Sequence, residues 1–185
     1  MIDVKFLTKE ELTAGLPTIQ QSPKDDGELK LIVRRPKVNA REVLTEAQLD
    51  TVEGLVGDSW NHRSSSRTED GSPHPDMQLN IMNTRAIALI AQSDARWQLA
   101  GDQLFLDLDL SKENLPAGTK LALGTAVIEV TAQPHTGCQK FVERFGVEAM
   151  KFVNSPVGRE LQLRGINARV LQPGVIRLGD KAKKL

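Results

Sequence analysis

Alternation of hydrophobic and polar positions predicts a chain built mainly from short β-strands. The clearest case is the run 104–110, in which four leucines alternate with Phe105, Asp107 and Asp109. Such alternation places one face of a strand in the core and leaves the other mostly in water. Shorter runs predict further strands at 29–34, 77–82, 121–123 and 126–132. Strands at 165–171 and 175–178 flank Gln172-Pro173-Gly174, which predicts a hairpin.

A helical period appears in fewer places. Asn83 or Thr84 is a suitable cap for a helix that runs to about Trp97. The spacing of Thr45 and Gln48 matches a capping box and predicts a short helix that ends near Gly54. Apolar positions after residue 138 predict another helix, which is interrupted at Gly146 and ended by Asn154-Ser155-Pro156.

Many short strands and few helices predict a mostly β (α+β) domain, a barrel with short helices packed outside. A length of 185 residues fits one domain. We expect that domain at 30–182 and an N-terminal extension or edge segment at 1–28, with a loop at 15–27. Residues 59–76 are polar and irregular, which predicts a long loop whose role the sequence leaves open.

Charge and composition exclude several classes of protein. The 24 acidic and 24 basic side chains cancel, so bulk charge favours neither nucleic acid nor an acidic membrane as a partner. No apolar run approaches the roughly 18–20 residues of a membrane span. The first six residues lack the pattern of a signal peptide. A single cysteine without an export signal predicts a cytoplasmic protein.

Cys138, the only cysteine, is the strongest candidate for chemistry. A lone thiol that functions does so as a nucleophile, a sulfur carrier or a soft metal ligand; the alternative is an unreactive, half-buried residue. The predicted helix start would expose the thiol to free N–H groups and the positive end of the helix dipole. His135 precedes it by three residues, and Lys140 and Arg144 follow.

Other clusters give weaker signals. Arg164 and Arg169 suit phosphate or carboxylate, unless, as we expect for Arg159, they cover the outside of the barrel. His62, His74, His135 and Cys138 supply four potential zinc ligands, but their spacing is unlike that of structural zinc sites. The chain lacks a P-loop, a Gly-x-Gly-x-x-Gly fingerprint and a Gly-x-Ser-x-Gly elbow, which argues against kinases, dinucleotide-dependent dehydrogenases and α/β hydrolases.

An ordered series of short motifs resembles a known family. The motifs are Gly54-Leu55-Val56-Gly57-Asp58 with His62, Gln78-Leu79-Asn80-Ile81-Met82-Asn83 with Arg85, Glu113-Asn114-Leu115, Gly124 with 126–131, His135-Thr136-Gly137-Cys138, 164–170 and 174–180. Together they resemble the MOSC domain, which is found at the C-terminus of molybdenum-cofactor sulfurases. The resemblance covers about residues 30–182.

The resemblance implies a MOSC-type β-barrel and a role in molybdenum-cofactor or sulfur chemistry. In the family the matching cysteine, here Cys138, either ligates molybdenum or carries sulfur as a persulfide. Relatives that bind the cofactor reduce N-hydroxylated compounds with electrons from a partner protein. The cofactor-binding residues that we predict on this basis are Asn114, Arg164, Arg169, His135, Thr136, Asp58, His62 and Arg85.

Two departures from the family pattern qualify these expectations. Many members have proline before the cysteine, whereas this chain has Gly137. The full sulfurases also carry a pyridoxal-phosphate desulfurase domain, for which 185 residues leave no room. We therefore expect no pyridoxal phosphate on this chain, and a cysteine desulfurase or an electron-transfer protein as partner beside a small-molecule substrate. A non-catalytic module that binds a pterin or another anion, with a structural cysteine, remains the alternative.

Overall fold

Eleven strands and six α-helices make up the computed structural model, which describes residues 5–185. The strands are β1 (Gly27–Arg34), β2 (Glu42–Leu44), β3 (Glu46–Asp50), β4 (Gly54–Leu55), β5 (Leu79–Asn83), β6 (Leu104–Asp107), β7 (Lys120–Leu123), β8 (Ala126–Val130), β9 (Ile166–Gln172), β10 (Gly174–Arg177) and β11 (Lys181–Lys184). The helices are α1 (Lys9–Ala14), α2 (Leu16–Gln20), α3 (Thr84–Ala91), α4 (Gln139–Phe145), α5 (Val147–Asn154) and α6 (Pro156–Glu160). Three 3₁₀ helices cover Trp60–His62, Pro75–Met77 and Asp94–Ala100.

Seven of these strands close a barrel in the order β11-β7-β8-β9-β5-β6-β1. The start of β1 pairs with β11, where Gly27 lies opposite Ala182, and this pairing joins the two ends of the sheet. The β5–β6 pair is parallel and its neighbours are antiparallel, so the barrel is mixed. Strand β2 extends the sheet beside β1, and β10, β3 and β4 form a separate small sheet. The predicted barrel with short outer helices is confirmed.

Two hydrophobic clusters hold the fold together. One fills the barrel and includes Leu29, Ile81 and Leu104. The other lies between the outside of the barrel and the helices, and it includes Met82 and Phe105. Because helices cover β5 and β6, residues on both faces of these strands are buried. The expectation that one face of the 104–110 strand is mostly wet is therefore wrong.

Most predicted elements appear in the structure. The strands expected at 29–34, 77–82, 121–123 and 126–132 correspond to β1, β5, β7 and β8, and the helix after Cys138 is interrupted at Gly146. The predicted loop 15–27 contains α2, and Leu12 and Ile19 of the first two helices are buried in the outer cluster. Residues 1–4 of the predicted N-terminal extension lie outside the described residues. They include most of the six residues from which we argued against a signal peptide.

Three local predictions are wrong for tertiary reasons. Residues 45–54 form β3 and the start of β4 instead of a helix, because Ala47 and Leu49 point into the barrel core and β3 pairs with β10. Because β10 pairs with β3 and not with β9, the expected hairpin does not form. Helix α3 ends at Ala91 because Gln92 adopts a left-handed conformation, and a 3₁₀ helix follows.

Among residues 5–185, no helix combines the length and the apolar character that crossing a bilayer requires.

Candidate functional site

Cys138 is the N-cap residue of α4, and its side chain is exposed. The helix behind it is anchored by Phe141 and Phe145, whose buried rings lie 4.9 Å apart between their centroids. Cys138 lines a surface cavity of about 320 Å³. The thiol is therefore held at the surface by a helix whose apolar side chains are packed in the core.

The residue before the cysteine is fastened to α5 by two hydrogen bonds. The Gly137 N–H donates to Asn154 Oδ1 at 2.9 Å, and Asn154 Nδ2 donates to the Gly137 carbonyl at 3.2 Å. A Cβ on Gly137 would come within 3.1 Å of Val153 and 3.2 Å of Met150. Proline, the residue that many family members have here, could not donate the first bond because it lacks an N–H. The Gly137–Asn154 pair thus accounts for one departure from the family pattern.

A buried carboxylate, Asp102, joins two predicted site residues. One of its oxygens lies 2.8 Å from His135 Nε2, and the other accepts a 2.6 Å hydrogen bond from Arg164 Nη1. Arg164 also donates to the Ala100 carbonyl, and its guanidinium lies 5.0 Å from the centre of the Phe141 ring. Through these contacts the carboxylate connects the loop before α4 with the start of β9.

Charge and burial determine the ionisation of this group of residues. Burial acts to raise the pKa of Asp102, but Arg164 and His135 outweigh it and lower that pKa to about 2. Burial lowers the pKa of His135 below its usual 6.5, and Arg164 lowers it further, against the opposing effect of Asp102. At neutral pH the carboxylate is thus ionised and the imidazole is neutral, with Nε2–H donating to Asp102.

A second buried pair lies at the same cavity. Arg35 Nε and Nη2 donate to the two oxygens of Asp58 at 2.9 and 2.8 Å. The remaining nitrogen, Nη1, donates to the Gly101 carbonyl at 2.7 Å and to Asn80 Oδ1 at 2.9 Å. Asp58 therefore neutralises Arg35, in the same way that Asp102 neutralises Arg164.

Four further cations line the cavity: Arg41, Arg63, Lys140 and Arg144. Within residues 5–185 none of them has a carboxylate partner at salt-bridge distance. Burial lowers the pKa of Arg41, and the positive charges of Arg144, Arg35 and Arg63 lower it further. Burial and the charge of Arg35 likewise lower the pKa of Arg63. Crowded positive charges without counter-charges favour an anionic ligand.

The guanidinium groups of this cluster donate to neutral oxygens. Arg41 donates to the Ala40 and Gln98 carbonyls, Arg144 to the Leu99 carbonyl at 2.7 Å, and Arg63 to the Ser59 hydroxyl. These bonds orient the side chains without neutralising them. Since phosphate and carboxylate bind arginine forks by charge-assisted hydrogen bonds, the cluster suits either group.

The structure brings some of the predicted residues together. Cys138, His135 and Arg164 line the cavity, and Asp58 lies beside it through its ion pair with Arg35. Thr136 lines a neighbouring cavity of about 640 Å³, which shares His135 and Arg164 with the first.

The remaining predicted residues do not line the cavity of Cys138. Asn114 binds the Lys24 and Asp109 carbonyls and Lys184. Arg85 pairs with Asp107, and Arg169 pairs with Glu129 and Asp76. His62 is exposed in a 3₁₀ helix. Roles for these four residues in binding a cofactor stay predictions.

Sequence reasoning missed Asp102, Arg35 and Arg41 as site residues. All three lie in connections between strands, where no periodic pattern marks them. The adjacent arginines Arg34 and Arg35 were the one available hint, and only the second faces the cavity. Among residues 5–185 no three His, Cys, Asp or Glu side chains cluster as ligands of a metal ion, so the zinc alternative gains no support.

We expect Asn154→Ala to loosen the segment that carries Cys138. Loss of the two hydrogen bonds to Gly137 should cost about 1–2 kcal/mol and accelerate amide exchange over residues 135–139. Hydrogen–deuterium exchange with mass spectrometry measures this effect. Glu148→Ala is the control, since it removes only a surface ion pair on the same helix. Equal exchange in the two variants would contradict the role of Asn154.

Asp102→Asn should destabilise the fold in a pH-dependent way. At neutral pH the variant leaves Arg164 buried without its counter-ion, at a cost of about 3–5 kcal/mol. Because folding lowers the pKa of Asp102 from 3.8 to about 2, its stabilisation is present above pH 4 and is lost as pH falls towards 2. Urea unfolding at several pH values should therefore show that the difference in free energy of unfolding between wild type and Asp102→Asn becomes smaller in acid. The control Asp94→Asn changes an exposed aspartate and should leave the free energy of unfolding unchanged. If Asp102→Asn lowered that free energy equally at every pH, ionised Asp102 would not be the stabilising group.

Comparison with known proteins supports the family resemblance. The MOSC domain family model matches residues 70–183. The structure resembles the YUAD protein from Bacillus subtilis, with a TM-score of 0.60 at 16% identity over 84% of this chain and 93% of that one. YiiM from Escherichia coli gives 0.54 at 20% identity, over 85% and 69%.

A solved structure described as a hypothetical protein gives a TM-score of 0.56 at 21% identity, over 85% of this chain. This chain spans 66% of that one, just under two thirds of its length. At such identities the structural likeness concerns the fold alone. The sequence matches none of the curated proteins with which it was compared. Since the family match covers more than half of the residues, the chain belongs to the MOSC domain family, whose known roles relate to the molybdenum cofactor.

Proposed function

We propose that the chain binds the molybdenum cofactor in the cavity beside Cys138, with the thiolate of Cys138 as a ligand to molybdenum. One observation carries this proposal: the same cavity is lined by an exposed thiol and by four cations that have no carboxylate partner within residues 5–185. The pterin part of the cofactor bears a phosphate, which arginine forks bind well. Thiolate is a soft donor of the kind that molybdenum accepts.

The side chains present fit such a ligand in a further respect. Arg164 Nε is buried and has no hydrogen-bond partner among the described residues, although the rest of its guanidinium is paired. An unpaired buried donor is costly, and a ligand acceptor would relieve that cost. Arg41, Arg63 and Arg144 would hold the phosphate, Arg164 would donate to the pterin side, and Cys138 would supply sulfur.

The reaction that we propose is the reduction of N-hydroxylated small molecules, with electrons from a partner protein. The cofactor supplies two-electron redox chemistry when bound. Reduction of an N–OH group consumes two electrons and two protons and yields N–H and water. The chain must therefore bind the phosphate of the cofactor, position the thiolate of Cys138 and provide a route for protons to the substrate.

Molybdenum content tests the binding site. When the chain is produced in a host that makes the cofactor, molybdenum should co-purify with wild type and be lost from Cys138→Ala. Each charge-assisted hydrogen bond contributes about 1.5–3 kcal/mol, so a triple Gln variant of Arg41, Arg63 and Arg144 should lower cofactor affinity at least tenfold.

The matched control is Arg177→Gln, which removes an exposed arginine that pairs with Glu46 and does not line the cavity. It should retain molybdenum as wild type does. Metal-free wild-type protein with full activity, or full occupancy in the triple variant, would count against the proposal. Elemental analysis of the purified proteins provides the readout.

A persulfide relay is the second candidate, favoured by the exposure of Cys138. An exposed thiol can be reached by a partner desulfurase. The same exposure gives no support to the alternative in which Cys138 is a packed, structural residue of a non-catalytic anion-binding module.

Incubation with a cysteine desulfurase and cysteine distinguishes the relay. Intact-mass measurement should show about 32 Da added to the wild-type chain, the mass of one sulfur atom. Cys138→Ser should gain nothing, because the chain has no other thiol. If wild type stays unmodified while the desulfurase loads a known acceptor protein, the relay is excluded.

A further inference from the structure

His135 forms part of the wall between two cavities. One is the cavity of Cys138, and the other is the larger one of about 640 Å³. Of residues 5–185, Arg164 is the only other one that lines both. A molecule in the larger cavity would thus meet the two side chains that also face the proposed cofactor, and its volume is that of ordinary small-molecule sites.

The ring of His135 is oriented by its bond to Asp102. Nε2–H donates to the carboxylate at 2.8 Å, whereas Nδ1 has no hydrogen-bond partner among residues 5–185. Nδ1 is not one of the buried polar atoms that lack a partner, so it is accessible from a cavity. In all, 14% of the side chain is exposed. Nδ1 is therefore the one ring nitrogen free to exchange a proton with a ligand.

The lining of the larger cavity indicates the kind of ligand. Its polar side chains include the amides of Gln133 and Gln162, the hydroxyl of Thr136 and the cation of Arg159. Val130 and Val153 contribute apolar surface, and no acidic side chain of the described chain lines the cavity. Such a lining suits an uncharged or anionic ring compound that carries hydrogen-bonding groups.

We propose that the larger cavity binds the N-hydroxylated ring compound and that His135 gives it a proton through Nδ1, with Asp102 as the positioning residue. This inference rests on the proposed reaction, which consumes protons. The resting ring is neutral and carries its proton on Nε2, so solvent first protonates Nδ1. That Nδ1–H bond then breaks as an O–H bond forms on the ligand, and the ring returns to its neutral form. The geometry matches that of other acid–base pairs, in which a carboxylate fixes the imidazole tautomer.

The charges around His135 favour release of that proton. The groups that face it are Asp102 before β6, Arg164 before β9, Arg35 after β1, and Lys140 and Arg144 on α4, with Arg159 and Lys112 across the larger cavity. Burial and the positive charges of Arg164 and Arg35 disfavour the imidazolium, and Asp102 alone stabilises it. The protonated ring is therefore a stronger acid than free histidine.

Nuclear magnetic resonance of ¹⁵N-histidine in the metal-free chain tests the geometry without any loaded cofactor. We expect His135 to be neutral at pH 7 with its proton on Nε2, and Asp102→Asn to abolish this preference. Benzohydroxamic acid, as the probe, should shift the Nδ1 signal of wild type. Ala117→Trp, which fills the larger cavity from its rim, should remove that shift. A resting, neutral ring that carries its proton on Nδ1 instead of Nε2, or an unchanged shift in Ala117→Trp, would overturn the proposal.

Kinetics of the molybdenum-loaded protein provide the second readout. His135→Gln should lower kcat about 100-fold with little change in KM or in metal content, the size expected for loss of a proton donor. The control His74→Asn retains a side chain that can cap the 3₁₀ helix and should keep wild-type kcat. Unchanged kcat in His135→Gln would refute the proton transfer. Absence of molybdenum from wild type would instead refute the proposed function and leave the resonance result standing.

Discussion

The buried Asp102 carboxylate is the constraint on which the site depends. A fully buried charge costs several kcal/mol unless it is paired, so both of its oxygens must keep their partners. Those partners, His135 and Arg164, come from the loop before α4 and from the start of β9. Any conformation that moved the cysteine loop away from the barrel would leave this charge unpaired, and the position of Cys138 follows from that penalty.

The distribution of charge within the cavity separates structure from binding. Arg35 and Arg164 are buried, and each has its own aspartate, so they contribute rigidity and no net charge. Arg41, Arg63 and Arg144 lack carboxylate partners among the described residues and leave a local positive excess beside the thiol. The excess is invisible in a total charge of zero. Local pairing, and not composition, decides what such a surface attracts.

Strands with local alternation, such as β1 and β8, could be predicted because their pattern is contained in a few consecutive residues. The region 45–54 could not, since its capping-box pattern gives way to pairing with β10, which lies over 120 positions away. The cysteine and His135 were found from the motif that carries them. Asp102 was missed because its importance arises only when distant loops meet around it. Asn114 was included by family resemblance, and the structure places it away from the cavity.

X-ray absorption at the molybdenum edge tests the central claim, that the cavity holds the cofactor with Cys138 as a ligand. The spectrum of the loaded wild-type protein should require one more sulfur neighbour of molybdenum than that of cofactor-reconstituted Cys138→Ser. A loss of that sulfur in the variant is the result predicted here. Identical sulfur coordination in the two proteins would show that the thiolate does not bind the metal and would contradict the account.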